Sequence, residues 1–225
     1  MRENRLARIK QLLANRQPDL TILMDQVHKP HNVAAVVRTA DAVGIGNIHA
    51  VRAEGQINRC GGTAMGSDRW VKVHRYEKFS DSIKVVKQQG MQVLAAHFSE
   101  RAVDFRSIDY TQPTCLLLGA EKYGVTEEAS EAADHHVLIP MLGMVQSLNV
   151  SVANAVILYE AQRQRQQAGM YGECKLEQGD MDRLCFEWLH PKVTQFCKKH
   201  GLRYPILDEF GEIADAEWEQ LRHKV

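Results

Sequence analysis

The stretch V-L-I-P-M-L-G-M-V-Q-S-L-N-V-S-V-A-N-A-V-I-L-Y-E, Val137 to Glu160, decides how the chain reads. It starts as a short β-branched apolar run stopped by Pro140 and passes through a loop holding Gly143. A long apolar helix then begins at or just after Ser147. Loops that join strands to helices are usually short and polar. This one carries Met141, Leu142, Met144, Val145 and Leu148, so it is expected to be buried or wrapped around something. A packed core loop satisfies that requirement; so does a ligand site built largely from backbone groups.

Working outward, residues 21–24, 48–51, 70–73, 93–96, 114–118 and 137–139 read as strands, with helical patterns between them. Val33, Val36, Val37, Ala40 and Val43 form a helical stripe ended by Gly44, and Asn32 is placed to cap it. A second helix opens at Ser80 or Asp81 and stops at Gly90. Thr126 caps a short third one with Glu127 and Glu128 in its first turn. Strands alternating with helices predict an α/β fold, a mostly parallel six-stranded sheet with helices on both faces. Such sheets bind ligands at the carboxyl ends of their strands. The ends at Ala96 and His97, at residues 119–121 and at residues 140–149 should therefore lie near one another. Neither Gly44-x-Gly46 nor Gly61-Gly62 with Gly66 makes a dinucleotide or P-loop fingerprint.

At 225 residues and 44% hydrophobic content the chain suits one ordinary domain with appended pieces. No window reaches the roughly 18 apolar residues of a membrane span, and the first residues are charged, so a cytoplasmic protein is expected. Five cysteines, none in a C-x-x-C pair, read as reduced thiols, and the ten histidines lack metal-ligand spacing, so no metal is expected. The 28 basic and 28 acidic residues balance but are unevenly spread. Residues 1–16 hold Arg2, Arg5, Arg8, Lys10 and Arg16 against Glu3, with Leu6, Ile9, Leu12 and Leu13 at helical spacing: a basic amphipathic helix that suits phosphates or simply a solvated face. The tail divides at His190-Pro191 between two helices, the second stopping at Gly201, and residues 208–219 are acidic and should fold back. The division reads as a basic helix over 1–19, a central domain over 20–168 and a helical extension over 169–225.

Arg38 points away from the stripe of its helix, on the same side as His31 seven residues earlier, where pairing with Asp41 at i+3 would leave it solvated. The order of the pieces adds a different meaning. H-N-V-A-A-V-V-R-T-A-D-A-V-G (His31 to Gly44), L-L-L-G-A-E-K-Y-G-V (Leu116 to Val125) and I-P-M-L-G-M-V-Q-S-L-N-V-S-V-A-N-A (Ile139 to Ala155) resemble the three motifs of SPOUT-class RNA ribose methyltransferases. The opening R-L-A-R-I-K-Q-L-L-A-N-R-Q-P-D-L, the Y-E-A-Q-R-Q-R-Q run and the C-terminal extension resemble the tRNA guanosine-2′-O branch of that family. The similarity covers nearly the whole chain and is weakest after Gly172.

The resemblance implies a deep C-terminal trefoil knot that includes residues 140–148 and the following helix, with S-adenosylmethionine bent into it. It implies contacts to that cofactor from Ala96, Leu117, Gly119, Ile139, Met144, Ser147 and Leu148. Arg38, Asn32, Glu121, Ser147 and Asn149 match the catalytic side chains, with Arg38 assigned to activation of the ribose 2′-hydroxyl. Arg5, Arg8, Arg16, His31, Arg163 and Arg165 are the RNA-binding candidates, tRNA the expected partner at a D-loop guanosine, and a homodimer the expected assembly. A guanidinium stays protonated to roughly pH 12. Arg38 therefore serves either as a base in a strongly altered environment or as a phosphate holder while His31 or solvent takes the proton. Ribosomal RNA as substrate, a non-catalytic RNA-binding protein of the same fold and a nucleotide-dependent oxidoreductase are the competing readings, the last disfavoured by the missing glycine fingerprint.

Overall fold

A computed structural model of the chain describes residues 3–51 and 70–222. Cys60, the Gly61-Gly62 pair, Gly66 and Arg2 lie outside the described residues. The chain divides into two compact units, one formed by residues 17–170 and the other by residues 1–16 with 171–225.

The central unit is a parallel sheet whose inner strands are buried on both faces. Its elements run β1 (Leu20–Asp25), α2 (Pro30–Ala42), β2 (Asn47–Val51), β3 (Lys72–Tyr76), α3 (Phe79–Gln88), β4 (Gln92–Ala96), β5 (Val103–Asp104), β6 (Thr114–Leu118), α4 (Glu127–Ala132), β7 (His135–Leu138) and α5 (Val150–Gln167). Among the described residues the strand order is β3-β2-β1-β6-β4-β7-β5, with every pairing parallel. The six expected strands are therefore joined by β5, a two-residue strand on the β7 edge. It is too short to show a periodicity in sequence. The third strand sits slightly later than expected, at Lys72–Tyr76.

Alternate strand residues enter different cores. Ile22, Met24, Leu94, Leu116 and Leu118 pack with Val36, Val37 and Ala40 of α2 and with Ile157, Leu158 and Ala161 of α5. Leu23, Val93, Ala95, Cys115 and Leu117 face the other way, onto Phe79 and Val86 of α3 and Ala129 of α4. Both helix layers thus cover the apolar faces of the inner strands β1, β6 and β4, as a buried parallel sheet requires.

One helix start differs from the sequence expectation and one falls within it. α2 opens at Pro30 with Lys29 at the cap position, so Asn32 lies inside the first turn and does not cap it. Proline is well suited there because the first turn has no use for its missing N–H. α5 opens at Val150, capped by Asn149 and not by Ser147. Thr126 caps α4 as expected, its Oγ1 accepting from the Ala129 amide at 3.3 Å.

The second unit is helical: α1 (Glu3–Ala14), α6 (Gln178–Leu189), α7 (Pro191–His200) and α8 (Ala216–Arg222). Leu6, Ile9 and Leu13 of α1 are buried, whereas Leu12 is exposed. The break falls at His190-Pro191, and α7 ends on Gly201 at φ +63°, the left-handed conformation that glycine adopts without penalty. The acidic tail folds back within this unit: Trp218 is buried and its indole N–H donates to the Arg203 carbonyl. No helix among the described residues is long and apolar enough to cross a membrane.

Candidate active site

β6, β4 and β7 are consecutive in the sheet, so the three strand ends singled out from the sequence do converge on one edge. The turn after β6 is held from within. Ala120 and Gly124 exchange backbone hydrogen bonds of 2.8 and 2.7 Å, and Gly124 takes φ +70°. A Cβ on Gly119 would lie 2.0 Å from the Gly124 carbonyl carbon, so only glycine fits. The buried Asp25 at the end of β1 accepts the Thr126 amide at 2.7 Å and fixes the far side of the turn. His97, just past β4, lies beside Gly124 and meets the buried His136 ring edge-on at 5.3 Å. Burial, then His136 and Arg101, hold the His97 imidazole below its ordinary pKa and favour the neutral ring.

This turn presents Glu121 to the start of α2 and the start of α5. Asn32 Nδ2 donates to Oε2 at 3.4 Å and Asn149 Nδ2 donates to Oε1 at 3.3 Å, while the two asparagines are joined at 3.2 Å. Lys29 Nζ completes the set with an ion pair to Oε2. The Lys29 hydrogen bond is the largest influence holding the Glu121 carboxyl below its ordinary range, with further help from the two asparagines against some desolvation. Asn149 serves both structures at once: its Oδ1 accepts from the Ser151 amide at 2.9 Å to cap α5, and its amide nitrogen faces the cluster. Lys29 was missed in the sequence, where a lysine before a proline carries no motif. Its one signal is position, since the residue before a proline is held extended at a helix start.

Arg38 and His31 are exposed on α2, and neither has a hydrogen-bond or ion-pair partner among the described residues. The pairing of Arg38 with Asp41 does not form. Of the cofactor candidates, Ala96 and Ile139 are half-buried at their strand ends, and Gly119 is buried in its turn. Leu117 is fully buried in the core beneath α3 and α4, so its side chain is committed to packing. The loop after β7 departs from expectation. Leu142, Met144 and Val145 are exposed, as is Ser147, and Leu148 is half-buried. The loop is not a packed core loop within the chain; its apolar side chains face outward.

The RNA-binding candidates separate sharply. Arg165 leaves the set, because it is fully buried and its five donor contacts go to Tyr110 O, Gln17 Oε1, Asp19 Oδ1, Asp19 O and Gln112 O. It clamps the end of α5 to the amino-terminal edge of the sheet, away from Asn149. Arg16 is also buried, with its guanidinium 5.3 Å from the Trp188 ring centre, an arrangement that packs the helical unit and leaves little of it for a phosphate. Arg5 and Arg8 are exposed on α1, though Arg5 donates to the Trp188 carbonyl at 2.9 Å. Arg163 is exposed and forms a forked pair with Glu160 at 2.8 and 2.7 Å. No cluster of three or more histidine, cysteine or acidic residues suited to a metal occurs among the described residues.

The SpoU rRNA methylase family profile matches residues 19–159, and the profile of the SpoU rRNA methylase C-terminal region matches 163–216. The chain belongs to the SpoU methylase family. It is 53% identical over 221 residues to the tRNA (guanosine(18)-2′-O)-methyltransferase of Escherichia coli strain K12, covering 97% of this chain and 96% of that one. The crystal structure of the Aquifex aeolicus TrmH/SpoU tRNA modifying enzyme aligns with a TM-score of 0.76 at 42% identity, covering 85% of this chain and 98% of that one. An AdoMet-bound rRNA methyltransferase from Sinorhizobium meliloti aligns with a TM-score of 0.59 at 33% identity, over 67% of this chain and 59% of that one.

Proposed function

We propose that this SpoU-family chain transfers a methyl group from S-adenosylmethionine to the ribose 2′-hydroxyl of the D-loop guanosine at position 18 of tRNA. The observation that carries the reading is the Asn32–Glu121–Asn149 cluster at the converging strand ends, in a chain so similar to a guanosine-18 methyltransferase over nearly its whole length. The edge suits the cofactor chemically. Gly119 keeps a turn backbone clear of side chains beside Ala96 and Ile139, and Leu142, Met144 and Leu148 offer apolar surface nearby in sequence. Bound there, S-adenosylmethionine supplies a methyl group on a positively charged sulfur, which the ribose oxygen attacks in line as its own proton departs.

The protein's part is orientation, which alone supplies much of the rate in such displacements. Glu121 keeps the Asn32 and Asn149 amides aimed at one point. Arg38, without a partner among the described residues, is left to hold the ribose and its neighbouring phosphate as a protonated donor, and His31 or solvent takes the hydroxyl proton. Arg5, Arg8 and Arg163 remain the exposed arginines for RNA phosphates. Residues 140–148 and α5 are the segment we assign to the knot, within a methyltransferase domain of residues 20–168. The assembly we infer is a homodimer. Val152, Val156 and Tyr159 form an exposed apolar stripe on α5, opposite its buried face, and a second copy would cover it. The four cysteines among the described residues are free, which fits a reducing cytoplasm.

Purified protein is expected to transfer labelled methyl to unmodified bulk tRNA at a D-loop guanosine. Arg38→Ala is expected to reduce transfer by on the order of a hundredfold or more without changing the thermal melt. Label entering ribosomal RNA and not tRNA would overturn the target, and no transfer to either would overturn the enzymatic reading.

A further inference from the structure

The cluster contains a residue with no assigned role in the family resemblance. Lys29 is the cap residue of α2, yet its side chain makes no capping hydrogen bond. It reaches Glu121 across 92 positions of sequence. Its backbone is extended, at φ −68° and ψ 118°, as the following Pro30 requires, so the lysine leaves the helix start in a fixed direction. Both partners are partly solvated, with side-chain exposures of 47% for Lys29 and 35% for Glu121. A pair this exposed adds little to folding stability. Its cost in side-chain order is repaid only if it holds something in place.

What it holds is a carboxylate with three donors. Oε2 receives Lys29 and Asn32, and Oε1 receives Asn149. An ionised carboxylate only accepts, whereas a protonated one must donate from one oxygen. Protonating Glu121 therefore takes away an acceptor from a donor already aimed at it, and the Asn32 and Asn149 amides lose their common anchor. Lys29 is the one charged group from a neighbouring element that bears on Glu121 among the described residues. Lys122, on the same turn, instead lies 5.0 Å from the Tyr123 ring centre.

We propose that Lys29 is a positioning residue for methyl transfer, holding Glu121 ionised and aimed so that Asn32, braced by Asn149, keeps its second amide hydrogen for the reacting ribose. The inference rests on the functional reading above and deepens it. It separates Lys29 from a simple phosphate contact. A lysine that bound RNA would act on affinity for tRNA, whereas one that positions Glu121 acts on turnover and on the pH at which turnover fails.

The test measures kcat, KM for tRNA and the pH profile of kcat for the full-length wild type, Lys29→Ala, Lys29→Arg, Glu121→Gln and the Lys29→Ala/Glu121→Gln double variant. Lys29→Ala is expected to lower kcat about tenfold to a hundredfold with KM within about threefold of wild type. The acid limb of its profile should move to higher pH, because the carboxylate has lost its cation. Lys29→Arg should return the limb towards the wild-type position. In the Glu121→Gln background, Lys29→Ala should cost less than about a further twofold, since the two side chains act as one unit. Lys29 lies at the surface, and circular dichroism checks that each variant is folded. An unchanged kcat and acid limb, a loss confined to KM, or an undiminished Lys29→Ala effect in the Glu121→Gln background would each overturn the inference. A wild type that transfers no methyl would sink the functional reading with it, whereas an active wild type indifferent to Lys29 sinks this inference alone.

Discussion

The loops that follow β6 and β7 leave the same edge of one parallel sheet and are built on opposite principles. The β6 turn is closed on itself by the Ala120–Gly124 exchange, by the approach of Gly124 to Gly119, and by Asp25 at its far end. The β7 loop over 140–148 has no hydrogen bond to any described residue, and it turns Leu142 and Met144 fully outward. Local stability follows internal contacts, so the first loop is a prebuilt polar wall and the second a surface awaiting a partner. An enzyme that only positions its reactants needs both: a rigid half to aim the amides, and an adaptable half to close over the cofactor.

The largest expected effect comes from releasing the end of the adaptable half. α5 begins at Asn149 and is fixed near its other end by Arg165. Arg165→Ala leaves buried carbonyls and Asp19 without their donor, and should cost about 3–5 kcal/mol in denaturant unfolding. Its effect on RNA affinity, measured on folded protein, should be small, in contrast to Arg163→Ala. Next is Gly119→Ala, whose methyl must displace the Gly124 backbone. It should cost about 1–3 kcal/mol and remove methyl transfer, because the turn that carries Glu121 opens.

A smaller effect separates the loops by pH. Folding depresses the Glu121 pKa, so its contribution to stability is present above the unfolded value, near 4.5, and is lost as pH falls through the lower folded value. The side-chain amide resonances of Asn32 and Asn149 should titrate together below pH 4.5. The amides of 140–148, a segment with no ionisable side chain, should show no titration with that midpoint. The smallest effect is that of Leu142→Ser with Met144→Ser on the stability of the chain without cofactor, within about 0.5 kcal/mol by denaturant unfolding, because both residues are already in solvent. The same pair should weaken S-adenosylmethionine binding in a calorimetric titration.

The sheet was legible because its inner strands carry a continuous apolar signal, as in Leu20–Asp25 and Thr114–Leu118. The helix stripes on α1 and α2 were legible at 3.6-residue spacing for the same reason. β5 had no such signal, since two residues cannot show a period. Asn32 and Asn149 were both readable as polar residues at helix starts, but which one caps depends on where Pro30 and Val150 enter the helix, a matter of one turn. Arg165 could have been told from Arg163: Leu158, Ala161 and Arg165 continue the buried face of α5 at i, i+3 and i+7. The charge of the glutamine-arginine run concealed that register. Lys29 could not be found by spacing, because its contact with Glu121 is made by the fold and joins two distant segments. For the β7 loop the sequence left two readings, a packed core loop or a ligand site, and the exposure of Leu142 and Met144 removes only the first. Apolar composition predicts that a segment is covered, but not whether the cover comes from the same chain.

Hydrogen exchange measured with and without S-adenosylmethionine, in the absence of RNA, tests the two-loop account most directly. Amides of 119–126 should exchange slowly in both states, while those of 140–148 should exchange fast alone and become protected at saturating cofactor. Fast exchange over 119–126 in the free protein, or cofactor binding that leaves 140–148 unprotected, would contradict the account.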